Sequence, residues 1–477
     1  MKPSTLRLIG FNTASATAIF MVNLDTTVVN IILPTLADHF DVDMTRISLV
    51  NVAYLLSLTA FLLVFGRLSD RWGPEKIFIP GYVLFTVGSA LCALSRGIWD
   101  LSAYRFVQGV GGSMIFATSA VIIVKYIPAE MRGRAYGVNG LFAGIGFALG
   151  SPVGGYLCSF GWQWVFLVNI PIGLVGIFLC LRFLDDRTHV RSRETFDTGG
   201  AVLSFFALIL LIAAFQAGGK FSWTSPGVLG CFAVSGLLWV AFLVVESRVS
   251  NPLVPLSLFR NLPLSAALIA NFVYLLLLYG ISFIFPFYFK YIQKLTDAQT
   301  GHCMALFPLV SIVISPVTGF LCDKIGPRVL CIFSMAVFVA STVLFLRYDA
   351  ATPTTYLVVT LLLFGLAMAL FCTAILTLIM THAAPGRAGV LSSVKAVIPN
   401  LGGLLGVSMF SIVFTHHLLS EGEGLVETAS LTTLMTGFRQ TMVLALAVAV
   451  AGLLASLVAR PRENAPAPPD EARSLQL

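Results

Sequence analysis

The sequence predicts an all-α polytopic membrane protein with fourteen transmembrane helices. Three observations carry that reading. First, 57% of the 477 residues are hydrophobic and 11% charged, with a mean hydropathy of +0.92. Soluble domains carry about 25% charged residues, and no soluble core would hide this much apolar surface. Second, apolar runs of about twenty residues, long enough to span hydrocarbon as helices, recur along the chain, without the alternation of a membrane barrel. Third, Lys and Arg gather in alternate short connections. That pattern sets membrane orientation and argues against a nucleic-acid partner despite the net charge of +7.

The spans fall in order. The first, about 10–36, follows Lys2 and Arg7 as a signal peptide would, but it carries Asp25 and leads into further spans, so it reads as an uncleaved helix. The second (48–66) ends in Gly66-Arg-Leu-Ser-Asp70-Arg71-Trp-Gly73-Pro74. The third (77–95) precedes a fourth (101–124) that contains Arg105 and Gln108. In the fifth (136–158), Gly146, Gly150, Gly154 and Gly155 form a small-residue strip that suits close helix packing and a pliable hinge alike. The sixth (164–183) is followed by a seventh (199–217) and an eighth (226–245). The ninth (264–289) is rich in aromatics: those near its outer end read as an interfacial belt, while Asn271, Tyr274 and Tyr279 lie deeper and suit a pocket. The tenth (302–322) ends in Gly319-Phe-Leu-Cys-Asp323-Lys324-Ile-Gly326-Pro327. The eleventh (329–347), twelfth (355–380), thirteenth (389–415) and fourteenth (440–459) complete the set; Lys395 in the thirteenth reads as snorkelling to the interface.

Twenty basic residues fall in connections on the side of the N-terminus and seven on the other, which puts both termini in the cytoplasm. The Gly-Asp-basic-Gly-Pro pattern after the second and tenth spans recurs in one register and marks a duplicated six-helix unit. The expected division is a six-helix bundle over 1–185, an inserted helix pair with its loops over 186–262, a second bundle over 263–460 and a disordered tail over 461–477. The two repeated loops, with Gly66, Asp70, Arg71, Gly73, Asp323 and Gly326, are expected to latch the halves on the cytoplasmic face.

Asp25 is the one acid inside an apolar segment; every other Asp and Glu falls in a polar connection or at its edge. An acid in hydrocarbon costs about 2.5 to 3.5 kcal/mol on insertion scales and survives where it faces a cavity and has a task. The bland alternative is a helix-end acid reaching water. Arg105, the deep basic residue of the first half, either takes part in proton transfer or bonds helix-end carbonyls, with Gln108 packing or bonding near it. No phosphate-binding loop of the Gly-x4-Gly-Lys-Ser/Thr kind occurs, which leaves an ion gradient as the energy source. The eight cysteines show no metal-ligand spacing and read as small apolar residues; the adjacent His416 and His417 could hold a metal but read as solvated loop residues, so neither a metal nor another cofactor is expected.

The chain resembles the major facilitator superfamily, and more narrowly its fourteen-helix drug:proton antiporter branch, from about residue 20 to 455. The resemblance rests on Leu24-Asp25-Thr26-Thr27-Val28-Val29-Asn30, on Gly66, Asp70, Arg71 and Gly73, on Arg105-Phe-Val-Gln108-Gly109-Val-Gly111-Gly112, and on Trp162-Gln-Trp164-Val-Phe166-Leu-Val-Asn169. The antiporter-type motif of the fifth helix is matched by Gly146, Gly150, Pro152, Gly154 and Gly155, with Ser151 in the usual proline position. Pro74-Glu75 stands where basic residues are usual, and Gln163 where Arg is. The resemblance implies alternating access around a midplane site, in a monomer of a bacterial plasma (inner) membrane that exchanges a small-molecule substrate for protons. Asp25 and Arg105 would couple protons, with substrate and proton competing for Asp25; Asn30, Gln108, Asn271, Tyr274 and Tyr279 would line the pocket. The expected activity is export of lipophilic, cationic drugs or toxic compounds. A dedicated exporter of one metabolite is the alternative, and a non-transporting sensor or scaffold a third reading. No enzymatic constellation is present.

Overall fold

A computed structural model of the chain describes residues 5–184, 198–220, 224–249, 259–382, 388–422 and 425–461. Among them run the helices α1 (Thr5–Phe40), α2 (Met44–Trp72), α3 (Glu75–Ala93), α4 (Ile98–Tyr126), α5 (Ala129–Cys158), α6 (Gln163–Leu167), α7 (Asn169–Phe183), α8 (Thr198–Lys220), α9 (Pro226–Arg248), α10 (Leu262–Phe287), α11 (Asp297–Ile325), α12 (Pro327–Phe345), α13 (Thr354–Met380), α14 (Ala388–Ser420) and α15 (Leu431–Val458). Among the described residues, thirteen stretches are long and apolar enough to cross a membrane, with α6 and α7 forming one of them. α8, apolar over Val202–Phe215, stands where the sequence predicts the seventh span.

The duplicated loops adopt one conformation. Gly73 and Gly326 end α2 and α11 with φ of 100° and 83°, a region glycine enters without steric cost. Their N–H groups return to Ser69 O at 2.9 Å and Cys322 O at 3.0 Å. Pro74 and Pro327 follow, where a missing N–H leaves no helical bond unmade.

Helices α1 to α7 pack on one another, and so do α10 to α15. α8 and α9 pair with each other, Ser235 donating to Ala207 O at 2.8 Å, and α8 rests on α2 and α14. The starts of odd spans and the ends of even ones share what we call the terminal face. There Gly10 of α1 lies against the Phe183 ring of α7, and Arg328 of α12 donates to Leu457 O of α15 at 3.0 Å.

The two halves meet along α5–α11 and α2–α14. Glycines gauge the α5–α11 seam. A Cβ at Gly155 would collide with the Asp297 carbonyl oxygen, and one at Gly301 would come within 2.5 Å of Ser151 O. Farther along α5, the nearest atom to such a Cβ on Gly144 is Ile312 at 3.4 Å, and on Gly140, Gly137 and Gly133 there is nothing within 4 Å. The helices therefore touch backbone to backbone at the face opposite the termini and diverge toward the terminal face.

Polar contacts seal the same closed end. Lys290 pairs with Asp38 at 2.7 Å and donates to Thr35 Oγ1 at 2.8 Å. Thr35 donates to the Asp297 carboxylate at 3.0 Å. The Tyr291 hydroxyl donates to Pro34 O at 3.0 Å and to Asp38, and Ser411 donates to Met44 O at 3.3 Å.

Candidate functional site

Two sites lie near the middle of the bundle, and α1 separates them. Asn23 borders a cavity between the halves. Asp25, two residues on, points about 200° away around the helix, into the first half, with no exposed surface.

Around Asp25 every contact is a donor. Arg105 Nη1 donates to Oδ2 at 2.6 Å; Gln108 Nε2 and Asn169 Nδ2 donate to Oδ1 at 2.9 and 2.7 Å. The Ser89 hydroxyl accepts from Gln108 at 2.6 Å and from Asn169 at 3.2 Å. Arg105 and Gln108, three apart on α4, share one face. Glycines bring them in: a Cβ on Gly109 would reach 2.5 Å from Tyr54 O of α2, one on Gly111 2.5 Å from Phe85 N of α3, and one on Gly88 of α3 2.8 Å from the Gln108 backbone.

The guanidinium has other partners in place. Gln108 Oε1 accepts from Nη1 at 2.7 Å, Val50 O accepts from Nε at 3.4 Å, and the Tyr54 ring lies 4.1 Å from Cζ. A proton arriving on Asp25 would weaken its hold on Arg105 and leave it these three contacts, with Nη2 lacking a hydrogen-bond partner among the described residues. On its other flank α1 meets the α5 glycines: a Cβ on Gly146 would lie 2.6 Å from Phe20 O, on Gly150 2.8 Å from Leu24 O, and on Gly154 2.8 Å from Val28 O. α1 is thus held between the glycine strip and the ion cluster, while Gly155 and Pro152 of α5 border α11.

The cavity has a volume of about 680 Å³. Its lining runs from Asn271 in mid-span to Gly137 and Ile379, near the terminal-face ends of α5 and α13, so it opens where the seam is splayed. Tyr274 and Tyr279 line it; Asn30 and Gln108 do not. Asn30 accepts from Asn51 of α2, and Gln108 serves Asp25. Competition of substrate and proton at Asp25 needs an acid in the cavity wall; in this conformation the carboxylate faces α4 and α7 and both oxygens are filled. Arg105 likewise serves Asp25 rather than helix-end carbonyls.

Of the duplicated loops, Gly73 and Gly326 form the turns described, while Arg71 and Asp323 are exposed. The side chains of Asp70 and Lys395 lie outside the described residues, as does the tail beyond 461. The halves are joined instead at the opposite face. Glu75, in place of a basic residue, is buried and pairs with Lys125 of α4 at 2.7 Å.

Sequence reasoning assigned no role to Ser89 or Asn169. Asn169 carried a signal, an amide opening an apolar helix; Ser89 carried none. The contacts of Asp38, Lys290 and Asp297 were equally hidden, because charges at span ends ordinarily face water.

Residues 15–407 match the model of the Major Facilitator Superfamily. The chain is 31% identical over 401 residues to the riboflavin transporter RibZ of Clostridioides difficile, covering 84% of this chain and 87% of that one. It is 26% identical to the multidrug transporter protein MdtP of Bacillus subtilis, covering 83% and 73%. Among solved structures, a bacterial homologue of the human lysosomal transporter Spinster superposes with a TM-score of 0.67 at 15% identity, covering 96% and 98% of the chains, which supports the fold. The chain belongs to the Major Facilitator Superfamily and is a membrane transporter, not an enzyme.

Proposed function

We propose that the protein is a proton-coupled antiporter that exports amphiphilic small molecules by alternating access, with Asp25 as the proton carrier and Arg105 as its switching partner. The observation that carries this reading is the separation of the two sites by α1: a fully buried carboxylate ringed by donors on one side, a cavity on the other. Coupling then runs through α1. Protonation of Asp25 frees Arg105 to turn to Gln108, Val50 O and Tyr54; α1 shifts against the glycine strip of α5, and the α5–α11 seam rocks with it. The pair Asp25/Arg105 acts as an alternative to, rather than a part of, the cargo contacts.

The terminal face is proposed to be cytoplasmic, in line with the excess of basic residues there, so the conformation described is open to the cytoplasm of a bacterial plasma membrane. One chain contains both halves and acts as a monomer. Relatives named for drugs and for riboflavin both align over most of the chain, so export of a single metabolite is the second reading. Purified protein in proteoliposomes under an imposed pH gradient tests the proposal: substrate accumulation that Asp25→Asn abolishes supports it, and accumulation indifferent to the gradient in wild type contradicts it.

A further inference from the structure

We infer that the cargo carries no net charge, is an aromatic hydrogen-bonding molecule, and that its exchange for protons moves net charge across the membrane. This rests on the proposed proton coupling and goes beyond it.

The cavity wall contains no Asp, Glu, Lys, Arg or His among the described residues. Its polar groups are neutral: Asn23, Asn271, Tyr279, Ser311 and Ser315. A localised organic cation loses strong hydration on entering such a site and is compensated best by a carboxylate. Asp25 cannot serve from its place behind α1, with both oxygens taken by Arg105, Gln108 and Asn169. The sequence holds no substitute, since every other acid lies in a connection or near a span end; Asp297 sits at the sealed end, bonded to Thr35. The remaining wall is apolar and aromatic. Tyr274 packs on Phe371 with centroids 4.9 Å apart, and Phe147 lies on the wall from the other half. About 680 Å³ falls within the usual range of small-molecule sites. Amides, hydroxyls and ring faces of this kind bind an uncharged heteroaromatic, and they offer a cation ring faces alone, worth about 0.5–2 kcal/mol, with no carboxylate to balance its charge.

The energetic consequence follows from charge balance. A monovalent cation leaving for one entering proton is electroneutral and responds to a pH gradient alone. An uncharged cargo leaving for one entering proton moves one charge inward and is driven by membrane potential as well.

The test uses the full chain in proteoliposomes at equal pH on both sides, with a lumen-positive potential set by valinomycin and external potassium. The probes are riboflavin and chloramphenicol as uncharged aromatics, and ethidium and tetraphenylphosphonium as cations. An uncharged probe is expected to accumulate on potential alone, up to about 50-fold at 100 mV for one charge per cycle, the equivalent of ~2.3 kcal/mol; Asp25→Asn is expected to abolish this. Asn271→Asp, isosteric and within the cavity, is expected to admit ethidium and to lower uptake of the uncharged probes several-fold. Cation accumulation on a pH gradient with no response to potential, and none of the uncharged probes, would overturn the inference while leaving proton coupling intact. Failure of every probe under either gradient would overturn both.

Discussion

Arg105 Nη1 meets Asp25 Oδ2 at 2.6 Å with neither side chain exposed. Removing one partner of a buried pair strands the other, a loss of about 3–5 kcal/mol. Asp25→Ala is therefore expected to lower the unfolding midpoint in detergent markedly. Asp25→Asn, which keeps acceptors for Gln108 or Arg105, should lower it less, and the double variant Asp25→Asn/Arg105→Gln should recover stability over Arg105→Gln alone. None of these four variants should accumulate substrate. Tryptophan fluorescence during heating, beside a transport assay, checks the set.

The Lys290–Asp38 pair and the Asp297–Thr35 bond hold the opposite face shut. Both are partly exposed, so each is worth about 0.2–1 kcal/mol. Asp38→Asn is expected to shift the population toward the state open on that face by about 1.4-fold to fivefold. Spin labels at Met131 and Ile325, both exposed at the terminal face, should report a larger fraction of short distances in the variant.

The splay of α5 from α11 distinguishes glycines on one helix. Gly155→Leu meets the Asp297 backbone and is expected to prevent closure of the opposite face. Gly140→Leu meets nothing in the present conformation and is expected to fold normally, yet to slow transport at least tenfold by obstructing closure of the terminal face. The same pair of spin labels should stay far apart in Gly140→Leu and come together in Gly155→Leu.

Asn271 and Tyr279 line the cavity and lie off the ion cluster. Asn271→Ala is expected to raise KM about tenfold, the worth of one buried hydrogen bond to cargo, with the maximal rate nearly unchanged. Proton release upon substrate addition, extrapolated to saturation, should keep its amplitude.

Much of this was legible in the residues. Hydrocarbon forces long apolar helices and short charged loops, so span order and the duplicated Gly73 and Gly326 turns could be read directly. Asp25 stood out because an acid is costly among apolar neighbours. Gln108, three residues from Arg105, was expected both beside that guanidinium and in the pocket; it lies beside the guanidinium and bonds Asp25. Asn30, another span polar group, finds its partner on α2. What could not be read was register between helices: which face of α1 holds Asp25, that Asn169 of α7 and Ser89 of α3 converge on it, and that Lys290 reaches Asp38 across the seam. These are distances between segments far apart in sequence, and no local pattern encodes them.

The central claim is that Asp25 couples protons from outside the cargo cavity. The most direct measurement compares two modes of transport in Asp25→Asn proteoliposomes, using whichever probe the wild type carries: accumulation against a concentration gradient driven by protons, and passage down the probe's own gradient. The expected result is loss of the first with survival of the second, since the cavity lining is unaltered. Accumulation persisting in Asp25→Asn would contradict the claim, and so would loss of both modes in protein that retains its unfolding midpoint, because that would make Asp25 part of cargo carriage itself.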